Sequence, residues 1–520
     1  MRAYRDRQRS LEQLTQHLKV WADELAAWEL YDRQTIGAWT LTAPDGAARD
    51  VKVGDAWSNR IGIHSFQSGL LDTSGRPDAE LRLNFGGEAM VRLLAEDGRQ
   101  LDAFGANPCH RRFAPLPNEP FRIHAEVAAR SLFGIPNRDP KLEMAELVSV
   151  QTEIRALHRR VEAIANTALT VKDEELARSL YEVAQIGLSR LRLPTETAEV
   201  GPRLADQQWA QVIWERSFEP GGEMKALTGD ALASVATSIQ TIDDGLADLR
   251  SRYPKQGRIL AAGHAHIDYV WLWPQPETVR KIVRTFNSVV SLMKSHPEFQ
   301  FLQSSSLFYK HVEEEDPALF EEIKKHVANG QWEVNGGMLI ECDTNMPSAE
   351  AFTRQFLLGQ SYFLEKFGAL NRTAWLPDTF GFTSAMPQIM THAGIETLVT
   401  IKVSWSESNK MPDNLFHWKG NDGSEVLVHT YNAYDNDGYN MQMKPQALDE
   451  VWSKHAGKDL SDTVIATYGW GDGGGGPDPD QIEAFPIFNM MPSLPTIEHG
   501  NIQDHIDTLQ AELTDAAVPV

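Results

Sequence analysis

The stretch RILAAGHAHIDYVWLWP, residues 258–274, decides the fold of the second half of this chain. RILAAG has the length and apolar composition of a buried strand, and the polar residues His264, His266 and Asp268 follow it directly. The next segment predicts a helix, because its apolar residues fall on one helical face: Val279, Ile282, Val283, Phe286, Val289, Val290 and Met293. A buried strand followed by an amphipathic helix is the repeating unit of an α/β fold.

The same alternation continues to the end of the chain. The predicted strands are FQFLQ, QWEVNGG, TAWLP, ETLVTIKV, EVLVHTY and TVIATY, and the predicted helices include PALFEEIKKHVANG and SAEAFTRQFLLGQSYFLEKFG, with Ser348 as N-cap of the latter. We therefore predict an α/β domain over 254–520, its parallel strands covered by helices in an open sheet or a βα barrel-like unit. In either form the functional site lies at the carboxyl ends of the strands.

The first half of the chain has a different pattern of apolar and polar residues. Residues 8–30 predict one amphipathic helix, so 1–34 is assigned to an N-terminal helical segment. Residues 35–138 alternate in short runs broken by turn signals, which predicts a β-rich, sandwich-like domain. Its expected core contains Trp57, His64, Phe66, Phe85 and Phe104. Residues 139–253, including MAELVSVQTEIRALHRRVEAIANTAL, predict a helical region between the two domains.

Composition excludes several classes of protein. A length of 520 residues suggests about three or four domains, and 42% hydrophobic with 23% charged residues is the composition of a globular chain. The net charge of −23 argues against a nucleic-acid partner. No apolar run is long enough to span a bilayer, and the charged N-terminus lacks the apolar core of a secretory signal. Two cysteines are too few for a disulfide framework, so we expect a cytoplasmic protein with no membrane partner.

The end of the first α/β strand predicts a metal site. His264, His266 and Asp268 are two residues apart, so in an extended chain their side chains face the same way. Imidazole nitrogen and carboxylate oxygen are common ligands of Zn²⁺, although polar loop residues or a buried, hydrogen-bonded histidine would give the same letters. Trp271 and Trp273 follow and are either core residues or a stacking surface for a sugar ring.

Two carboxylates follow later strands. In WLPDTFG, residues 375–381, Asp378 is either a loop-capping residue or, beside the metal motif, a third ligand or a nucleophile. Asp472 follows TVIATYGWG and precedes the four glycines 473–476, which favour a tight turn or a close approach to ligand, unless the segment is a flexible linker. A phosphate-binding loop would need Gly-Lys-Ser/Thr here, and that sequence is absent. Further polar residues at strand ends are candidates for hydrogen bonds to substrate hydroxyls or for capping: Gln303, Ser304 to Ser306, Glu333, Glu341, Asp343 and Asn345.

Four blocks of this sequence together resemble the α-mannosidases of glycoside hydrolase family 38, in particular their cytosolic-type branch. The blocks are GHAHIDYVWLWP, GQWEVNGGMLIECDTNMPSAEAFTRQFLLGQ, AWLPDTFGFTSAMPQIM and GWGDGGGGP, and the resemblance is dense over about residues 255–500. It implies a metal-dependent, retaining α-mannosidase with a βα barrel-like catalytic domain, acting on α-mannosides or oligosaccharides. Zinc is the metal that it implies, with cobalt as the alternative.

The resemblance also implies a role for each matching residue. His266 and Asp268 would be zinc ligands, and Asp378 would be both a zinc ligand and the nucleophile. Asp472 is the best match for the acid/base. Three further residues complete the implied site. Trp271 would stack on the mannose ring, Lys402 would contact sugar hydroxyls, and His264 would lie behind the ligands without binding the metal.

One departure from the family pattern concerns the fourth zinc ligand. The family takes it from a histidine in an ELHRGT-like stretch downstream of the glycine-rich motif, and the chain stops at Val520 without that stretch. His499 and His505 lack the motif around them. We therefore expect a truncated catalytic portion, for which a homo-oligomer or a complementing downstream polypeptide are the partners left open.

Two alternative functions stay open from the sequence. An amidohydrolase-like metal hydrolase also begins with HxH after a first barrel strand, but it needs further histidines on later strands, and His429 stands alone in VLVHTY. An inactive or incomplete mannoside-binding fragment would keep the sugar-binding surface and lose catalysis.

Overall fold

A computed structural model describes residues 10–58, 62–130, 134–194, 225–405, 408–409, 411–431, 440–513 and 518–520. Its first element is helix α1 (Leu11–Trp28), which begins at the N-cap residue Ser10. The Ser10 hydroxyl accepts the backbone N–H of Gln13, and the Gln13 side chain accepts the backbone N–H of Ser10. This reciprocal capping fixes the first turn, and it confirms the predicted helix within the described residues.

The β-rich region consists of two antiparallel sheets. A six-stranded sheet has the order β3 (Ala48–Val51), β2 (Trp39–Thr42), β4 (Ile63–Leu71), β9 (Phe121–Ala128), β6 (Glu88–Ala95) and β7 (Gln100–Ala106). A four-stranded sheet has the order β1 (Leu30–Thr35), β10 (Met144–Val150), β5 (Ala79–Asn84) and β8 (Arg112–Phe113). Buried side chains from both sheets form one hydrophobic cluster, which includes four of the five predicted core residues, and the fifth, His64, is also fully buried.

Two predictions in this region are wrong. Met144–Val150 is strand β10 and not the start of a helix, which begins only at Thr152. The stretch reads as helical because Ala, Glu, Leu and Met favour helices, but β1 and β5 pair with it on both sides, and these pairings override local propensity. For the same reason Leu30–Thr35 is a strand and not part of the N-terminal helical segment.

The helical region contains α2 (Thr152–Thr170), α3 (Glu174–Leu188) and α4 (Gly229–Arg252). Their buried faces share one hydrophobic cluster with α1 and with the first strand and helix of the α/β domain. The helical region therefore packs directly on the α/β domain. Within the described residues, no helix combines the length and the apolar character needed to cross a membrane.

The α/β region has a parallel sheet in the order β13 (Trp332–Val334), β12 (Phe301–Gln303), β11 (Arg258–His264), β19 (Thr463–Tyr468) and β18 (Asn440–Met441). Strand β20 (Thr496–His499) pairs with the first half of β11. A second sheet has the order β14 (Thr373–Trp375), β15 (Thr397–Thr400), β17 (Glu425–Thr430) and β16 (Leu415–Lys419), of which only β16 is antiparallel to its neighbour. The predicted α/β organisation is confirmed.

Helices connect and cover these strands: α5 (Gln275–Ser295), α6 (Ser306–Glu315), α7 (Pro317–Ala328), α8 (Ala349–Phe367), α9 (Met386–His392), α10 (Pro445–Lys454), α11 (Pro479–Met490) and α12 (Ile502–Glu512). The Ser348 side chain caps α8, as predicted. The two sheets adjoin where the Gly336 N–H donates to the Thr373 carbonyl at 3.2 Å. Strands β11, β12, β14, β15 and β19 thus point their carboxyl ends, and the polar residues that follow them, toward a common region.

Candidate active site

Three of the predicted residues come together beyond the carboxyl ends of β11 and β14. His266 Nε2 lies 3.5 Å from Asp268 Oδ1 and 3.6 Å from Asp378 Oδ2. One nitrogen or oxygen atom from each of the three side chains lies within 4.8 Å of the others. His266 is buried, whereas the two aspartates are partly exposed. Residues from two different sheets therefore form one group with the spacing of ligands around a single ion.

Backbone contacts hold the histidine segment in place. The carbonyl of His266 accepts the N–H groups of Gly473 (3.2 Å) and Gly474 (3.0 Å) from the loop after β19. His264 lies two residues earlier, fully buried at the end of β11, and its Nε2 accepts the indole N–H of Trp375 at 3.2 Å. Burial and the neighbouring His266 lower the pKa of His264 to about 3, so its ring is neutral. His264 thus lies behind the group of three.

A fourth acidic residue lies beside His266. Glu341 Oε2 is 3.7 Å from His266 Nδ1, and Glu341 Oε1 accepts the Ser304 hydroxyl at 2.6 Å. Burial by itself would lower the pKa of His266, but the hydrogen bond with Asp268 and the charges of Glu341, Asp268 and Asp378 raise that pKa to about 9. Burial raises the pKa of Glu341.

The donor set and its charge both fit a divalent cation. The surroundings of the buried imidazole are negative enough to hold a proton on it, and a metal ion would satisfy the same excess of negative charge. One imidazole and two carboxylates are a ligand set that suits zinc and related ions, and three protein ligands are the usual number in a catalytic zinc site. We conclude that His266, Asp268 and Asp378 fit a metal ion, whose identity the donor set leaves open.

Asp378 is held on both of its carboxylate oxygens. Oδ2 faces His266, and Oδ1 lies 2.5 Å from the ammonium nitrogen of Lys402. The Lys402 side chain is buried, and its nitrogen lies 3.4 Å from the ring centroid of Trp405 and 4.3 Å from that of Phe380. A cation over the faces of two aromatic rings is stabilised by their electrons, which helps to keep Lys402 against the carboxylate.

Asp472 lies on the loop after β19, where its own φ is 29°, a left-handed conformation. Burial raises the pKa of its carboxyl; the charges of Asp378 and Asp268 act in the same direction, and His266 and Lys402 oppose them. A carboxyl group with a raised pKa keeps its proton nearer to neutral pH, as a general acid requires. Asp472 also lines a cleft of about 1500 Å³, together with Trp405 and Trp470.

Exposed aromatic side chains lie on the segments that carry this group. Trp271 is 47% exposed and meets the buried Trp273 edge to face, with ring centroids 5.7 Å apart. Phe380 and Trp405 are 73% and 52% exposed, although both contact Lys402. Sequence reasoning did not single out these two residues, because letters alone do not distinguish a rim aromatic from a core one. The sequence did carry one indication of their position: Phe380 lies two residues after Asp378, and Trp405 lies three residues after Lys402.

Other polar candidates have structural partners. Glu333 accepts the backbone N–H groups of Ile502 (2.7 Å) and Gln503 (3.0 Å), so it caps the start of α12, and burial raises its pKa to about 7. Asp343 accepts the N–H groups of the two residues that follow Thr344, which makes it a turn cap. His499 stacks on Phe485 with ring centroids 3.7 Å apart and does not join the metal group.

Comparison with known proteins identifies the family of the region that contains this site. Residues 256–519 match the family model described as glycosyl hydrolases family 38 N-terminal domain. Because this match covers half of the sequence, the chain belongs to glycoside hydrolase family 38.

Several curated relatives carry the name alpha-mannosidase. The chain is 41% identical to alpha-mannosidase G of Dictyostelium discoideum over 243 residues, which is 47% of this chain and 22% of that protein. It is 37% identical to human alpha-mannosidase 2C1 over 49% of this chain and 24% of that protein. An alpha-mannosidase of Saccharomyces cerevisiae is 38% identical over 49% of this chain and 23% of its own length. The matched part thus spans about a quarter of each relative.

Among solved structures, an alpha-mannosidase from Enterococcus faecalis V583 is similar over 50% of this chain and 30% of its own length. That similarity has a TM-score of 0.41 and 20% sequence identity.

Proposed function

We propose that this chain is the catalytic portion of a metal-dependent, retaining α-mannosidase that hydrolyses α-mannosidic bonds in oligosaccharides. The single observation that carries this proposal is the placement of Asp378 between His266 on one oxygen and Lys402 on the other. A structural capping aspartate needs neither contact, whereas a carboxylate that serves both as metal ligand and as nucleophile needs a fixed orientation. The family membership and the names of the relatives support the same reaction class.

His266, Asp268 and Asp378 would hold the metal, for which we propose zinc, with cobalt as the alternative. When bound, such an ion would act as a Lewis acid toward the sugar hydroxyls and would orient the sugar ring. Glu341 would orient the His266 ring from its second nitrogen, because its carboxylate lies 3.7 Å from Nδ1. An acidic partner on the second nitrogen is the usual arrangement for a metal-binding histidine, because it fixes the ring and its tautomer.

The two steps of a retaining mechanism follow from the carboxylates. In the first, an oxygen of Asp378 forms a bond to the anomeric carbon while the bond to the leaving oxygen breaks and Asp472 gives that oxygen its proton. In the second, Asp472 takes a proton from water, whose oxygen displaces Asp378 from the anomeric carbon. The raised pKa of Asp472 supports the acid role, and the contact with Lys402 supports a fixed orientation of Asp378. Trp271 would stack on the sugar ring.

The cleft supports a substrate larger than one sugar. Its lining includes Asp472, which would protonate the leaving oxygen, so we place the leaving group of the substrate in this cleft. Exposed indole rings and hydrogen-bonding side chains in the lining suit a polar oligosaccharide.

We propose a βα barrel-like form for 254–520, supported by the cluster that Ala262, Leu302, Trp375, Val399 and Ile465 form between five strands. A sandwich-like form for 35–138 is supported by the core that its two sheets share.

The direct test is hydrolysis of a chromogenic α-mannoside by the purified 520-residue chain, after chelation and again after addition of zinc or cobalt. We expect turnover that is lost on chelation and restored by metal, with retained configuration of the released mannose. A folded protein, as judged by circular dichroism, with no turnover under either condition would overturn the proposal for this chain and favour the incomplete fragment. A cytoplasmic location and a complementing polypeptide stay predictions.

A further inference from the structure

The glycine-rich loop after Asp472 is held by side chains outside the metal group. Gly474, Gly475 and Gly476 have φ values of 82°, 93° and 67°, a left-handed conformation that glycine adopts without strain. The N–H of Trp470 donates to the carbonyl of Gly476 at 3.0 Å. This bond closes the loop, so that Asp472 lies inside a short, constrained turn and not on a flexible linker.

Three residues contact this turn directly. The Gly475 N–H donates to the hydroxyl oxygen of Thr285, on helix α5, at 2.8 Å. The Gly476 carbonyl lies 3.0 Å from His110 Nε2, which belongs to the loop between β7 and β8 of the β-rich region. The ammonium group of Lys281, also on α5, lies 3.4 Å from the Gly473 carbonyl.

The turn fits so closely against these residues that side chains are excluded from it. A Cβ atom on Gly474 would lie 2.6 Å from the Thr285 hydroxyl oxygen, and one on Gly475 would lie 2.7 Å from Cε1 of His110. Both distances are shorter than real carbon contacts. The glycines are therefore explained by a close approach to Thr285 and His110 as well as by backbone conformation.

One of these three residues, Lys281, is itself fixed by buried ion pairs. Lys281 lies 2.6 and 2.7 Å from the two carboxylate oxygens of Glu88, on strand β6. Arg284 pairs with the same carboxylate and, at 2.9 Å, with Glu277. All four side chains are almost completely buried, and buried charges that lose a partner are costly, so this arrangement resists displacement. The β-rich region and α5 thus form one rigid support under the turn.

We infer that Thr285 is a positioning residue for the acid/base step: through its hydrogen bond to Gly475 it fixes the turn that carries the Asp472 carboxyl. His110 and Lys281 hold the same turn from the β-rich region and from α5. The β-rich region therefore takes part in catalysis through the position of Asp472, although it contributes no residue to the metal group. This inference rests on the proposed function, because it assigns the acid/base role to Asp472.

The test compares Thr285→Val, which removes the hydroxyl acceptor at nearly constant shape, with Thr285→Ser, which keeps it. For each we would measure kcat/KM on methyl α-mannoside, whose leaving group needs a proton, and on 2,4-dinitrophenyl α-mannoside, whose leaving group departs without one. General acid catalysis contributes about 10²- to 10⁴-fold, so a displaced acid should cost Thr285→Val about 10- to 100-fold on the methyl glycoside. We expect a loss of less than about 3-fold on the dinitrophenyl glycoside, and Thr285→Ser near wild type on both.

An equal loss on both glycosides, or a Thr285→Ser protein as poor as Thr285→Val, would overturn the inference, since either result indicates general disruption. A second readout is independent of activity: hydrogen exchange of the peptide that contains Gly475 should lose protection in Thr285→Val and keep it in Thr285→Ser. If wild type hydrolyses neither glycoside, the proposed function fails. The exchange result then decides by itself whether Thr285 fixes the turn, and unchanged protection in Thr285→Val would refute it.

Discussion

Two groups of charged residues contact the glycine-rich turn, and they differ in charge balance. In the support cluster, Glu88 and Glu277 are matched by Lys281 and Arg284, and each carboxylate has a direct ionic partner. In the metal group, four carboxyls surround His266 and Lys402: Asp268, Glu341, Asp378 and Asp472. The balanced cluster serves the fold, whereas the unbalanced group attracts a cation. The two groups differ somewhat in burial, because Asp268 and Asp378 are partly exposed, but the sum of charge separates them more clearly.

The largest expected effect is on the unbalanced group. Asp378→Asn removes the charge that faces both His266 and Lys402, and it removes the proposed nucleophile. We expect kcat/KM on a chromogenic α-mannoside to fall at least about 10⁴-fold in a variant that still folds, as judged by circular dichroism. Asp343→Asn is the matched control, because that carboxylate only caps a turn and an amide oxygen can still accept the same bonds. Undiminished turnover of Asp378→Asn would remove the nucleophile assignment.

The second prediction breaks the balanced cluster. Lys281→Met leaves Glu88 buried beside Arg284 alone, and removing one partner of a buried pair costs about 3–5 kcal/mol. The free energy of unfolding, measured by urea denaturation, should fall by that amount. Lys294→Met is the control: Lys294 is exposed and pairs with Asp102 at 3.3 Å, so its loss should cost less than about 1 kcal/mol. Similar costs for the two variants would mean that the buried cluster is not the support described above.

The third prediction uses a buried carboxyl without a cationic partner among its hydrogen bonds. Burial raises the pKa of Glu333 from 4.5 to about 7, so the folded state holds a proton that the unfolded state releases between these values. The contribution to stability is complete below pH 4.5 and is lost as pH rises through about 7, by about 3 kcal/mol. In Glu333→Gln this part of the pH dependence of unfolding should disappear. If the variant shows the same decline as wild type, the decline comes from other groups.

The smallest expected effect is a gain on adding metal. At a free zinc concentration tenfold above the dissociation constant, binding to the folded state should add about 1.4 kcal/mol to its stability. Thermal unfolding with and without zinc measures this gain, and metal analysis of the dialysed protein gives the stoichiometry. Asp268→Ala should lose the gain, and His499→Gln should keep it, because His499 stacks on Phe485 away from the metal group. A gain that persists in Asp268→Ala would place the zinc elsewhere.

The sequence was sufficient for the elements whose signal is local. RILAAG is recognisable because a buried parallel strand is a continuous apolar run, and β11 lies where it was predicted. His266, Asp268 and Asp378 could be named in advance because residues that follow strands of an α/β fold meet at one edge. The wrong assignment of Met144–Val150 has the opposite cause: its strand conformation depends on partners that lie far away in the chain.

Contacts between distant side chains could not be predicted in the same way. The contact of Glu341 with His266 depends on the position of β11 relative to the loop after β13, and no local pattern encodes it. The contact of Lys402 with Asp378 likewise depends on the pairing of β14 with β15. Strands β16 (LFHWK), β18 (NM) and β20 (TIEH) were not predicted.

The pairing of β11 has a consequence for the order of events during synthesis. Its neighbours are β12, about 40 residues downstream, and β19 and β20, more than 200 residues downstream. A nascent chain that has emerged only as far as α10 therefore carries β11 with one edge open and the other paired only at Gly263 and His264. Open apolar strand edges invite aggregation. The glycine loop that holds the His266 carbonyl emerges just as late. The histidine segment is thus fixed only after the loop that follows β19 has emerged, and a chaperone that shields β11 until then would raise the yield of folded protein.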